Sequence, residues 1–261
     1  MWNYFYLIHL QYLGYRFHGW AKQPHLKTVH FMLDKTFRFV LKGQEFKTLG
    51  SSRTDAMVSA EDSAFELFLK KDIETVEFMK LLNENLPPDL KAVSIEKVDQ
   101  NFNIIKTAHT KEYSYLFAHG QKAHPFSSPF LFCFKEKLNI ELMMEGAKLF
   151  VGEHDFIRYC TRPKENSQVI RTIDESFIER NTLLSANFFP EETWVFHVHA
   201  KGFLRNQIRL MMGQLYQLGK GDLTLDELKE SLSGKNVSNF EYIAPASGLI
   251  LQKIYFKAQN V

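Results

Sequence analysis

Phe46-Lys47-Thr48-Leu49-Gly50-Ser51-Ser52-Arg53-Thr54-Asp55-Ala56 runs from an apolar segment into a polar turn, and Ala64 to Leu69 resumes an apolar, strand-like pattern. Two strands joined by a turn is the reading. An arginine and an aspartate two residues apart then stand in the turn. Gly50, Ser51, Ser52, Ala56, Ser59 and Ala60 are small, so another chain or a ligand can approach the backbone closely. Loops on a rigid scaffold are where reactive groups are usually placed. Arg-x-Asp alone equally describes a solvated surface ion pair, which contributes little. The rest of the chain decides.

Upstream, Tyr4 to Tyr12 is rich in aromatic and branched residues and reads as a strand. Gly14 and Gly19 bracket Tyr15-Arg16-Phe17-His18, and Trp20 follows. Thr28 caps a helix to about Leu41, whose Val29, Met32, Leu33, Phe37, Val40 and Leu41 share one face. Downstream, Glu74 to about Leu86 is helical and stops at Pro87-Pro88. Ala92 to Val98 is a strand. This strand–helix–strand–strand–helix–strand order predicts an α+β unit with a mostly antiparallel sheet.

A second unit starts near Phe102, giving domains of residues 1–101 and 102–261. In it Lys111 to Phe117 alternates, with Tyr113, Tyr115 and Phe117 on one face. Glu141 to Gly152 is a helix. Val169 to Arg180 and Thr193 to Ala200 are paired strands. Arg205 to Leu218 is a helix with Gly219 as its stop. Thr224 and Glu227 form a capping box for another helix, and Leu249 to Phe256 is a closing strand.

Composition narrows the class. With 261 residues, 45% of them hydrophobic, the chain has material for a real core, so global disorder is excluded. A net charge of +2 neither demands nor forbids a nucleic-acid partner, because local patches decide. Cys133 and Cys160 lack metal or redox spacing and read as reduced thiols of a cytoplasmic protein. The apolar start carries His9 and Gln11 and lacks an export signal's pattern, and no apolar run is long enough to span a membrane.

There is no glycine-rich phosphate loop. His197 and His199 point the same way on a strand, but no third metal ligand is evident. Three stretches carry more. The first is the Arg53/Asp55 turn. The second is Lys111-Glu112-Tyr113-Ser114-Tyr115, an aromatic strand opened by a cation; Tyr115 reads as core and Tyr113 is undecided. The third is Gly202-Phe203-Leu204-Arg205-Asn206-Gln207-Ile208-Arg209, where a guanidinium beside an apolar helix face needs a carboxylate or phosphate partner.

Together these stretches resemble the TruA family of tRNA pseudouridine synthases along nearly the whole chain, in order. Tyr12 to Trp20 is similar to the family's Y-D-G-x-x-F-x-G-W opening, and Ser52 to Ala56 to its G-R-T-D-A. Asn85 to Asp89, Gly152 to Phe156, Phe203 to Gly213 and Ala244 to Leu249 match further family motifs. The resemblance implies two α/β domains on mostly antiparallel sheets, a central cleft for the anticodon arm of tRNA, a homodimer, and isomerisation of uridine without metal or cofactor. It assigns Asp55 as nucleophile on C1′ or C6 and Arg53 as the residue that fills the space of the extruded base. Tyr113 stacks on that base, Arg209 keeps Asp55 ionised, and Leu249 lines the pocket. Arg16, Lys111 and Arg205 are candidate RNA contacts, with Lys22, Lys106, Arg158, Arg162, Lys164 and Lys201 as further cations.

Departures from the pattern are specific. Ser52 and Met57 stand where the family has glycine, Ser59 where it has histidine, and Ala21 where it has glutamine. Phe102-Asn103-Ile104-Ile105-Lys106 replaces F-H-A-R-F, losing an arginine. Retention of Arg53, Asp55, Tyr113 and Arg209 points to an active enzyme with altered RNA preference. The other reading is a catalytically impaired RNA-binding or RNA-folding paralogue.

Overall fold

The computed structural model describes residues 1–163, 167–234 and 240–257. Two units are distinguished: Met1–His109 together with the described C-terminal residues from Leu251, and Thr110–Ile250.

The first unit contains β1 (Tyr4–Tyr12), α1 (Val29–Val40), β2 (Phe46–Gly50), β3 (Ser59–Leu69), α2 (Thr75–Asn85), β4 (Leu90–Val98) and the short α3 (Ile104–Thr107). β1 lies between β3 and β4, antiparallel to both, and β2 pairs antiparallel with β3. Thr28 caps α1 as its sequence predicts, accepting the Phe31 amide at 3.3 Å. The buried face of α1 presents Phe37, whose ring meets Phe46, Phe65 and Phe78 at 5.6, 5.7 and 6.0 Å. That single aromatic hub ties α1 and α2 to one face of the sheet. On the other face Leu7, Ala64, Val98, Phe102 and Ile104 form a second cluster. Asn103 caps α3 by accepting the amides of Ile105 and Lys106, which buries Ile104 and leaves Ile105 exposed.

β3 starts five residues before the expected Ala64. The extra length is polar and so reads as loop in the sequence. Cross-strand pairs hold it to β1: Gln11 Nε2 donates to Glu61 at 2.9 Å, and His9 Nδ1 lies 2.5 Å from Asp62. The pairing reaches Tyr12 opposite Ala60 after a bulge.

The second unit contains β5 (from Ala108, to His119), β6 (Phe132–Phe134), α4 (Ile140–Lys148), β7 (Gly152–Asp155), β8 (Ile170–Arg180), β9 (Trp194–Ala200), α5 (Gln207–Lys220) and α6 (Leu225–Glu230). Strands run in the order β5-β9-β8-β7, antiparallel throughout, and β6 lies parallel on β5. β10 (Leu249–Phe256) follows and takes the chain back to β3 in the first unit. The α+β class and the predominance of antiparallel pairing are as the sequence predicts.

Two helix ends differ from the expectation. The helix expected to reach Gly152 stops at Lys148, because Gly152, at φ +106°, opens β7 against Ile173 of β8. Gly219 is not the stop of α5; Gly221, at φ +83°, is. Gly219 instead allows a helix crossing: a Cβ there would lie 2.6 Å from Met143 Sδ on α4. The crossing repeats at Gly146 of α4, where a Cβ would lie 2.3 Å from Leu218 of α5. Thr224 and Glu227 form the expected capping box of α6.

Candidate active site

The turn between β2 and β3 is fastened from one side by the segment that follows β1. Gly14 lies so close that a Cβ would sit 2.0 Å from the Val58 carbonyl oxygen. Its amide donates to Ser59 Oγ at 2.9 Å. The Phe17 carbonyl accepts the Met57 amide at 3.0 Å, and the Trp20 amide donates to the Thr54 carbonyl at 3.1 Å. Gly19, at φ +84°, leaves no space for a Cβ, which would stand 2.8 Å from that same carbonyl. The Trp20 indole lies against Gly50, where a Cβ would fall 2.5 Å from it. The chain that exploits the small residues is therefore, in large part, the protein's own.

This fastening explains the Arg-x-Asp spacing. Thr54 is buried, and its hydroxyl bonds the buried Tyr12 phenol at 2.8 Å. Extended backbone alternates its side chains. With Thr54 inward, Arg53 is exposed and Asp55 half-buried. Ser51 Oγ donates to the Ala64 carbonyl at 2.7 Å and closes the turn at its base. The result is a carboxylate and a guanidinium on a backbone that cannot relax away from them.

In the second unit Tyr113 lies on β5 opposite Val198, 7% exposed, with its ring edge-to-face on Phe203 at 5.3 Å. Tyr115 is core, as expected; its hydroxyl donates to the Pro245 carbonyl at 2.8 Å, and burial pushes its pKa up. Arg209 holds the neighbouring segment: Nε donates to the Ala244 carbonyl at 2.7 Å, and the Ala244 amide donates to the Arg209 carbonyl at 3.1 Å. Nη1 donates to Asn206 Oδ1 at 3.2 Å. Asn206, at φ +61°, also donates through Nδ2 to Thr161 Oγ1 at 2.8 Å. Asn206 thus orients Arg209 from the start of α5, a role the sequence signalled only through asparagine's tolerance of left-handed backbone. Gly248 permits close passage by Tyr115, and Leu249 is buried at the start of β10. Arg209 and Tyr115 therefore brace the segment that delivers Leu249.

The candidate RNA contacts differ in how committed they are. Arg16 Nη2 lies 2.6 Å from Asp89, with Lys27 3.5 Å from the same oxygen, so this cation joins the first turn to the Pro-Pro-Asp stretch. Lys22 pairs with the buried Asp34. Arg158 lies 4.3 Å over the Phe240 ring. Lys111 is partly buried opposite Ala200, and burial lowers its ammonium pKa. Lys106, Arg162, Lys201 and Arg205 are exposed. Lys164 lies outside the described residues. His197 and His199 face Glu179 and Glu175 at 3.1 and 3.2 Å. Among the described residues no cluster of three His, Cys, Asp or Glu is suited to a metal, and no helix is long and apolar enough to cross a membrane.

Known proteins match this chain along most of its length. The family described as tRNA pseudouridine synthase matches residues 147–257. A tRNA pseudouridine synthase A of Mesoplasma florum is 36% identical over 258 residues, covering 97% of this chain and 99% of its own. One of Dictyoglomus thermophilum is 31% identical over 249 residues, covering 95% and 97%. One of Clostridium botulinum is 28% identical over 247 residues, with the same coverage of 95% and 97%. Identity at that level, sustained end to end, places this chain in the tRNA pseudouridine synthase A family.

Proposed function

We propose that this protein isomerises uridine to pseudouridine in the anticodon stem-loop of tRNA, with Asp55 as nucleophile. The observation that carries this reading is the fastened Arg53-Thr54-Asp55 turn, where Thr54 is buried on the Tyr12 phenol while Arg53 is exposed and Asp55 half-buried. A uridine must leave its stack before chemistry, which costs a few kcal/mol. Arg53, exposed beside Asp55, fills the vacated space and holds the phosphate backbone. The Asp55 carboxylate attacks C1′ or C6; the N1–C1′ bond breaks, uracil rotates, a C5–C1′ bond forms, the bond to Asp55 is released, and the proton lost from C5 is balanced by one gained at N1. Arg209 serves as the cation that keeps the carboxylate ionised, and Tyr113 as the aromatic platform under the base. Leu249 lines the base pocket, and Lys111, Arg205 and Arg16 contact the RNA. The enzyme works in the cytoplasm as a homodimer, a state that light scattering on the purified protein measures directly.

The test is tritium release from tRNA labelled at uridine C5. Wild-type protein releases the label and Asp55→Ala releases none above background. Equal release from both removes Asp55 from the chemistry. Tight tRNA binding by the wild type with no release, even at stoichiometric protein, establishes the RNA-binding paralogue instead.

A further inference from the structure

Met57 is the unexplained residue of this turn. Its backbone adopts φ +67°, a conformation glycine takes freely and a side chain rarely does. The fasteners around it leave no route to relax: its amide is held by the Phe17 carbonyl at 3.0 Å, Val58 bonds back to Asp55, and Gly14 presses on the Val58 carbonyl. Strain of this kind persists only where the surroundings impose it, and it gathers at working sites. Nor is the side chain used to fill the core. It is 37% exposed, adjoins the exposed Ala56, and stands two residues beyond Asp55. A flexible thioether is thus carried on a rigid, left-handed stem at the edge of the catalytic turn.

We propose that Met57 is a specificity-determining residue that packs against the nucleobase flanking the extruded uridine. The chemistry of the partner follows from the side chain. Methionine is apolar, polarisable and adaptable, and it makes favourable contacts with aromatic faces. Removing a uridine from its stack uncovers the face of the neighbouring base. An unbranched thioether follows the shape of a purine or a pyrimidine, and it gains more from the larger face. The expected effect is a preference for uridines next to a purine. This inference rests on the turn being the RNA site, but it does not depend on which atom Asp55 attacks.

The experiment measures dissociation constants and KM with an anticodon-arm RNA, in parallel with the same RNA carrying an abasic residue beside the target uridine. Met57→Ala keeps the left-handed stem and removes the reach; it should weaken binding of the intact RNA by roughly tenfold, within the range of a lost base contact. It should lose nothing further on the abasic RNA. Met57→Leu restores the reach and should bind within about twofold of wild type on the same scale. Met57→Gly should melt at a higher temperature than wild type and yet bind the RNA more weakly, opposite shifts that a structural role does not produce. Wild-type affinity in both Met57→Ala and Met57→Gly overturns the proposal, as does an equal loss on intact and abasic RNA. Because binding is read directly, a failure of Asp55 as nucleophile leaves these outcomes legible.

Discussion

Gly14→Ala is a single methyl group whose effect on this protein can be worked out from contacts. The added Cβ would begin 2.0 Å from the Val58 carbonyl oxygen, 2.2 Å from its carbon and 2.8 Å from the Ser59 nitrogen. All three are backbone atoms, so no rotamer change relieves the overlap, and the two segments must part by about 1 Å or more to reach ordinary contact. Overpacking of this kind costs roughly 1–3 kcal/mol. Parting also stretches the 2.9 Å bond from the Gly14 amide to the buried Ser59 hydroxyl, worth about 1 kcal/mol or more when a buried donor is left unmade. The sum is about 3 kcal/mol, or roughly 6–12 °C in melting temperature for a chain of this size. The displaced segment begins three residues after Asp55, so the carboxylate moves with it. A misplacement of about 1 Å lowers the rate on the order of a hundredfold. Circular-dichroism melting and tritium release read the two effects. Ser59→Ala, which removes the hydrogen bond without the overlap, should cost only about 1 kcal/mol. If Gly14→Ala melts within about 2 °C of wild type and keeps its turnover, a shift smaller than 1 kcal/mol, the clamp is not what positions the turn.

Other consequences are as definite. Glu66 is 1% exposed on β3; one oxygen accepts the Ile104 amide at 3.4 Å and the other has no hydrogen-bond partner among the described residues, and burial raises its pKa. A raised folded-state pKa means its contribution is greatest below the unfolded value and fades as pH climbs through the folded one. The loss is about 1.4 kcal/mol for each tenfold difference in proton affinity between the folded and unfolded chain. Urea midpoints of wild type and Glu66→Gln between pH 4 and 8 should therefore diverge with rising pH in favour of the variant; parallel curves would refute the buried-acid reading. Gly219→Ala drives a methyl into Met143 Sδ, the movable end of a flexible side chain, and should cost about 1–2 kcal/mol. Met143→Ala opens that space and should make the glycine replacement nearly neutral in a double-mutant cycle, so additive losses would place the strain elsewhere.

The sequence alone determined the elements whose signals are local. Thr28 and the 3.6-residue spacing of Val29, Leu33 and Phe37 specify α1, Pro87-Pro88 ends α2, and the Thr224/Glu227 box starts α6. Runs rich in aromatic and branched residues marked β1 and β10 to the residue. The Arg53-Thr54-Asp55 turn was also legible, because two strands must be joined by something and the joint is polar. Tertiary structure decided everything that depends on a distant neighbour. β7 is four polar-looking residues that become a strand only because β8 offers it hydrogen bonds. Gly219 and Gly221 look alike until Met143 presses on one and the chain turns left-handed at the other. Arg16 reads as a free cation until Asp89 is brought beside it, 73 residues away in the chain. Most of all, Gly14, Phe17 and Trp20 reveal their task only when the fold lays them against residues 54–59. Periodicity and capping are written in neighbouring residues, whereas a clamp is a relation between segments that only chain reversal brings into contact.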